Sequence, residues 1–333
     1  MNSPLISVIV PSYNQGDFIE NTILSVIGQS YANWELIIQD GNSKDNTKTI
    51  CKKYALSDSR ITFISEPDNG FADAVNKAIT KCKGTFCAIQ SSDDFYSNAS
   101  VFQDVAELYN QHPELKIITG SCQHISSDFM LYHNQTYKAG YLIPLDIFTL
   151  KSQLAQGSTF FLKDRVIEIG LLDPTVDMVA DTDLWIRMAV TEPLLKKENI
   201  YQTDKIWSYA TVHLNQRNSN QAPFYFGRAL MSVNHLLNEK IKLDKDIKKQ
   251  WALRLFNDAF ELFSSQGKQS KELESLYFKI TNSKLPGRKK LKSMLSKNSF
   301  IRKKLRYHFS KVIPVTNGPK LHIDNWTKNI DRN

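Results

Sequence analysis

The sequence has no Cys-x-x-Cys pair; its four cysteines, Cys51, Cys82, Cys87 and Cys122, stand apart. That spacing excludes a zinc knuckle or a dithiol redox motif and suits small core residues in a reducing compartment. No apolar run approaches the ~18 uncharged residues of a membrane-spanning helix. The opening Met-Asn-Ser-Pro-Leu-Ile lacks a basic n-region, and the apolar stretch behind it stops at Pro11, so no signal peptide is expected. No Gly-x-Gly-x-x-Gly follows the first strand-like run, which sets dinucleotide oxidoreductases aside. There is no internal repeat or low-complexity tract either. These absences imply a soluble, cytoplasmic globular protein, and 333 residues suffice for about two domains.

Charge is present in quantity but unevenly placed. The net charge is +8, from 42 Lys and Arg against 34 Asp and Glu. Eleven of the basic residues lie between Lys284 and Lys311, with no Asp or Glu among them, so the rest of the chain is slightly acidic. Phased on Leu291, a helix here aligns Met294, Leu295, Ile301, Leu305, Phe309 and Val312 in one stripe. Lys289, Lys297, Lys303, Lys304 and Lys311 fall elsewhere, although Arg302 intrudes. Such a helix suits the anionic inner face of a membrane, where each Lys or Arg adds about 1 kcal/mol. A solvated face packed on the body is the competing reading. Nucleic acid is not expected as a partner, since aromatic interleaving is limited to Phe300, Tyr307 and Phe309.

The front of the chain alternates short apolar runs with helical periodicity. Strands are expected at Ile6–Val10, Trp34–Gln39, Ile61–Ser65 and Phe86–Ile89, with helices at Phe18–Ile27, from Asn42–Asp45 to Tyr54, and at Phe71–Lys81. A further helix (Ala99–Gln111) and strand (Ile117–Thr119) follow, after which residues 121–160 read as loops and an antiparallel flap. Alternation of this kind predicts an α/β fold, a mostly parallel sheet flanked by helices. From about Pro223 the pattern is helical, so the chain is divided near residue 215: a sheet domain, 1–215, and a helical C-terminal extension, 216–333.

Ligands of an open parallel sheet sit beyond the carboxyl ends of its strands. Asp40 directly follows the second strand, and Asp93 and Asp94 follow the fourth by three residues. Asp181 and Asp183 open a helix expected over Asp183–Val190. Any one of these could be a turn former or a helix cap. Adjacent Asp93 and Asp94 repel unless a cation compensates, which points to a hard divalent metal completed by phosphate oxygens.

Six blocks occur in order: Pro11-Ser12-Tyr13-Asn14; Glu35 to Ser43 with Asp45 and Thr47; Glu66-Pro67-Asp68-Asn69-Gly70 with Asp73; Ser91-Ser92-Asp93-Asp94; Gln156 with Ser158 to Phe161; and Ala180-Asp181-Thr182-Asp183-Leu184-Trp185-Ile186-Arg187. Together they resemble family 2 glycosyltransferases over roughly residues 4–215. The resemblance implies a GT-A fold and an inverting transfer of a sugar from a nucleotide donor, a UDP-sugar, to an acceptor hydroxyl on a glycan or lipid-linked glycan. It implies that Asp40 accepts from the uracil imide N–H, that Pro11, Tyr13 and Asn14 line the base, and that Asp68, Asp73 and Ser92 serve the nucleotide. Loop shaping and capping would explain Glu66, Asp68 and Asp73 equally well. The family's metal-binding Asp-x-Asp aligns on Ser91-Ser92-Asp93, so Mg2+ or Mn2+ is expected on Asp93, with Asp94 and His213 beside it. Asp181 matches the base, preceded by Ala180 where an acidic residue is usual. Asp183 is read instead as a cap, Trp185 and Arg187 as packing and pairing, and Gln156 and Thr159 as part of a strand flooring the acceptor side. Bacterial surface polysaccharide assembly and a peripheral membrane location fit that family. Ser91 and Ala180 keep alive a second reading, a catalytically degenerate nucleotide-sugar binding protein or scaffold. A sugar nucleotidyltransferase would want a Gly-rich basic loop after the first strand, and Pro11-Ser12-Tyr13-Asn14-Gln15-Gly16 is not one.

Overall fold

The structure is a computed structural model. It describes residues 3–190 except positions 127, 149 and 151, then 199–213, 216–217 and 221–236, with Trp251, Arg254 and Asp258. The basic segment 284–311, on which the membrane expectation rests, lies outside the described residues.

The first half is a run of β-α units: β1 (Ile6–Ser12), α1 (Ile19–Ile27), β2 (Trp34–Asp40), α2 (Thr47–Ser57), β3 (Ile61–Ser65), α3 (Phe71–Ile79) and β4 (Phe86–Ile89). β5 (Phe95–Tyr96), α4 (Val101–Gln111), β6 (Ile117–Ser126), β7 (Leu131–Gln135), β8 (Gly140–Tyr141) and α5 (Pro144–Phe148) follow. Then come β9 (Thr159–Leu162), α6 (Lys163–Glu168), α7 (Ala180–Val190), β10 (Ile200–Val212) and α8 (Gln221–Leu236), with 3-10 turns at Gln156–Ser158 and Pro174–Val179.

The strands form one sheet in the order β3-β2-β1-β4-β9-β6-β10-β5, with β7 added to β6 and β8 to β10. β3, β2, β1 and β4 are parallel. β9 runs antiparallel between β4 and β6, and β6 and β10 are again parallel. The sheet is thus parallel through β3-β2-β1-β4 and mixed beyond it.

Near-continuous apolar strands signal burial on both faces, and the pleat divides them. Val8, Val10, Leu36, Ile38 and Phe160 join one core with Ile23, Phe102 and Trp207. Ile9, Ile37 and Phe161 face the other, with Val75, Ile79, Leu184 and Trp185. Pro11 does not close β1 as expected. Pairing with β4 ends at Ile9↔Ile89, so a proline two residues later interrupts no ladder on that side, and β1 pairs with β2 as far as Ser12↔Asp40.

Beyond β4 the sequence is harder to follow. β6 continues through Gly120, where a break is expected, because a Cβ there would come 2.6 Å from the buried Trp207 ring. The glycine leaves room for the indole. Trp207 in turn donates its Nε1–H to Asp104 of α4 at 3.2 Å, beside Lys205 at 2.6 Å on the other carboxylate oxygen. The flap is the β6–β7 hairpin, and α7 starts at Ala180, three residues earlier than expected, so Asp181 and Asp183 both lie in its first turn. Gln156 sits in a 3-10 turn ahead of β9, not in the strand.

The chain divides into two compact units, residues up to Ser219 forming one and a second starting at Asn220. In the second, α8 buries Ala229, Met231 and His235, His235 rests on Trp251 at 5.4 Å, and Arg228 pairs with Asp258 at 3.2 Å. No helix among the described residues is long and apolar enough to cross a membrane.

Gly120→Ala forces a methyl into the Trp207 ring. Overpacking of this kind costs about 1–3 kcal/mol, and the unfolding midpoint in denaturant should fall accordingly, with an unchanged slope.

Candidate active site

The parallel strands end in one row, Ser12↔Asp40↔Ser65. Asp40 is fully buried, and a carboxylate without water needs hydrogen bonds. It has them: Oδ2 accepts from Ser43 N–H at 3.0 Å and Ser65 Oγ at 2.6 Å, and Oδ1 accepts from the Ser43 hydroxyl. Ser43 Oγ also accepts the Asn14 N–H at 2.8 Å, and Asn14 Oδ1 accepts the Lys44 N–H at 2.8 Å. Asn14 and Asn42 both adopt left-handed backbone (φ 52° and 65°), which asparagine tolerates better than most residues. The side chain of Asn14 therefore locks the loop after β1 onto the loop after β2, while Tyr13 stands 59% exposed at the mouth. Ser12, not singled out in the sequence, holds a buried hydroxyl with no partner among the described residues. Its position at the end of β1 was the available signal.

Asp68 reaches the same edge. Its Oδ1 accepts Gly70 N–H at 3.0 Å, and it packs so closely on Gly41 that a Cβ there would lie 2.6 Å from Oδ2. Burial pushes its pKa up, aided by the charges of Asp73 and Asp40 and opposed by the Gly70 N–H and Lys77. Asp73 is different. It accepts Asn69 N–H at 2.9 Å and pairs with Lys77 at 3.1 Å, and these partners hold its pKa below the usual value. These contacts make Asp73 an end-fastener of α3. Glu66 is likewise engaged, with Gln39 at 3.1 Å and Lys81 at 3.5 Å.

A second group follows β4. Ser91 Oγ accepts from Gln156 Nε2 at 3.2 Å, and Ser92 is buried. Asp93 Oδ2 meets His213 Nε2 at 3.0 Å, and the imidazole stacks on Phe18 with ring centroids 4.3 Å apart. Asp94 turns to β10, accepting Thr211 N–H at 2.8 Å. Burial, then the Asp93 charge, drives the Asp94 pKa well up. Among the described residues no three His, Cys, Asp or Glu side chains form a ready-made metal cage.

The third group surrounds α7. Ala180 is fully buried in the apolar core, so the position that is acidic in the family's pattern faces hydrocarbon here. Asp183 accepts from Arg187 Nε at 2.7 Å, and Arg187 also donates to the carbonyls of Ile169 (3.1 Å) and Leu171 (2.6 Å). That makes Asp183 one half of a structural pair rather than a cap. Asp181, in the same turn, keeps part of its surface open. Burial nevertheless raises its pKa, opposed by Thr182 and the Arg217 charge. Asp177, four residues earlier, accepts from Ala72 N–H at 2.7 Å and Arg217 Nη2 at 2.6 Å.

A continuous run of contacts therefore leads from Asp40 past Gly41 and Asp68 to Gly70, Ala72, Asp177, Arg217 and the vicinity of Asp181. Asp93 and His213 join the exit of β10, three residues before Gln216 and four before Arg217.

Residues 7–168 match Glycosyl transferase family 2. Among characterised sequences, the chain is 46% identical over 92 residues to a putative teichuronic acid biosynthesis glycosyltransferase, TuaG, of Bacillus subtilis, covering 27% of this chain and 36% of that one. It is 43% identical over 97 residues to the Escherichia coli UDP-Glc:alpha-D-GlcNAc-diphosphoundecaprenol beta-1,3-glucosyltransferase WfgD, covering 29% and 38%. The matched stretch thus spans little more than a third of these two relatives' length. The structure of S. aureus TarS 1-349 in complex with UDP-GlcNAc superposes with a TM-score of 0.61 at 19% identity, over 83% of this chain and 79% of that one, which establishes the shared GT-A fold. Residues 7–168, just under half of the chain, thus match glycosyl transferase family 2 within a GT-A fold.

Proposed function

We propose that this protein transfers a sugar, with inversion, from a UDP-sugar to an acceptor hydroxyl in bacterial surface polysaccharide assembly. The observation that carries the reading is Asp181, a half-buried residue in the first turn of α7 whose pKa is raised by burial. A base needs that combination, access to the hydroxyl and a proton affinity moved toward neutrality. The acceptor oxygen attacks the anomeric carbon as Asp181 takes its proton. The new C–O bond forms as the bond to the diphosphate breaks, the electron pair leaving with UDP. A single displacement inverts the centre. The buried Asp40 and the unpaired Ser12 hydroxyl support uracil recognition at the edge of β1 and β2, with Tyr13 over the base. UDP-glucose and UDP-GlcNAc are the first donors to test, since WfgD is named for the one and TarS is seen with the other. WfgD's lipid diphosphate substrate supports a lipid-linked glycan as acceptor.

Asp93 and His213 are the residues that would hold a divalent cation. Oδ2 of Asp93 is taken by His213, and Oδ1 has no partner among the described residues, a carboxylate-and-imidazole set that suits Mn2+ or Mg2+. When bound, the cation supplies Lewis-acid neutralisation of the departing diphosphate. The eleven basic residues of 284–311 support attachment to an anionic membrane face.

Asp181→Asn should lower kcat by about 10²–10⁴-fold while UDP still raises the unfolding temperature; undiminished UDP release would remove Asp181 from this role, whereas a wild type that binds UDP-sugar and releases no UDP would favour the scaffold reading. Because only the ionised carboxylate accepts a proton, wild-type turnover should fall as pH drops through a pKa above the ordinary ~3.9. An acid limb at or below that value contradicts the assignment. Asp93→Ala should abolish the gain in UDP affinity that Mn2+ gives the wild type, read by calorimetry with and without the metal. Removing residues 284–333 should free the protein from sedimenting phosphatidylglycerol liposomes; pelleting as before would show that the tail is not the anchor.

A further inference from the structure

Asp177 belongs to none of the sequence blocks, yet its carboxylate joins three separate stretches of chain. Oδ1 accepts Ala72 N–H at 2.7 Å, one of the first-turn amides that a helix leaves unpaired. Oδ2 accepts from Arg217 Nη2 at 2.6 Å, and the same nitrogen donates to the Asp177 carbonyl at 2.5 Å. Gly70 packs directly on the carboxylate. Its φ is 118°, and a Cβ there would stand 2.9 Å from Oδ2, so the turn that carries Asp68 can approach Asp177 only as glycine. Arg217 completes the junction by lying 4.9 Å from the Phe71 ring centroid, and its charge acts on Asp181.

The magnitudes separate two roles for this junction. The ion pair is 38% exposed on Arg217 and 29% on Asp177, and pairs that open to water contribute about 0–1 kcal/mol to stability. Geometry is more demanding. A 1 Å displacement of a reacting group can lower a rate by ~10²-fold. The three stretches joined here are the donor-side turn before α3, the lead-in to α7 and the segment beyond His213.

We propose that Asp177 and Arg217 are positioning residues, a charged clasp that locks the donor-side turn onto the start of α7 and so fixes Asp181 relative to the bound donor. This rests on the reading of Asp181 as the base. The clasp touches neither reacting atom; it acts through the backbone of α3 and α7.

The test is a double-mutant cycle on the full chain, with UDP release from UDP-glucose and UDP-GlcNAc as readout. Asp177→Asn keeps an oxygen for the Ala72 N–H and removes the charge that holds Arg217; Arg217→Gln removes the other half. Each single variant should lose about 10- to 100-fold in kcat with donor KM within about twofold of wild type. The double variant should be no slower than the slower single, because the two act as one unit. Arg217→Lys, which keeps the charge, should recover part of the loss. Multiplicative losses in the double variant, a rise confined to KM, or a rate loss that tracks a fall in unfolding temperature would each overturn the clasp. If Asp177→Asn fails to fold, the Arg217→Gln and Arg217→Lys pair decides by the same KM-against-kcat split. Asp181→Asn measured alongside keeps the two ideas apart. An active Asp181→Asn defeats the base assignment, whereas an inactive one with multiplicative losses in the cycle defeats only the clasp.

Discussion

A sheet covered on both faces leaves its strand ends as the place where polar side chains can meet a ligand, and that constraint organises this molecule. Val8 and Val10 face one core while Ile9 faces the other, so the interior of β1 has no room for chemistry. The first polar row is Ser12, Asp40 and Ser65. Because Asp40 is wholly out of water, its loop must supply donors. Ser43 does this through both its N–H and its hydroxyl. That one demand explains the loop's shape: Asn42 in left-handed conformation, Ser43 doubling as acceptor for Asn14, and Asn14 holding Lys44 in return. The carboxylate is preorganised by its surroundings rather than by a ligand.

The acidic residues then sort by what already occupies them. Asp73 and Asp183 are ion-paired, with Lys77 and Arg187, and Asp94 accepts the Thr211 N–H. Asp93 meets the His213 imidazole, and Asp181 is half-buried. Electrostatics runs in the same direction: hydrogen bonds and Lys77 hold Asp73 low, whereas burial raises Asp181.

What could be read from the chain follows from the range of the interactions involved. β1 to β4 are dictated by apolar runs a few residues long, so their positions were legible, as was Asp40 at a strand end. The sequence predicts too short a β6 because Gly120 resembles a terminator. The reason for the glycine is Trp207, distant in sequence and opposite in the sheet. The sequence predicts a late start for α7 because Asp181 and Asp183 look like caps, while Asp183 in fact finds its partner at Arg187 inside the same helix. Asp177 was invisible for a sharper reason. Its partners Ala72 and Arg217 lie 105 and 40 residues away, and no local pattern marks a carboxylate that caps someone else's helix.

The two departures from the family's acidic pattern have different physical meanings. At Ala180 the side chain is buried with Leu184 and Trp185, and a carboxylate there would be desolvated without a partner, at a penalty of several kcal/mol. Alanine at that point removes a burden from the helix that carries Asp181. Ser91 is another matter, since its hydroxyl accepts from Gln156 and brings no negative charge to the turn after β4. Burial and the Asp93 charge both favour the neutral form of the neighbouring Asp94. Asp93 beside an imidazole that stacks on Phe18 would offer a cation fewer acidic ligands than a carboxylate pair.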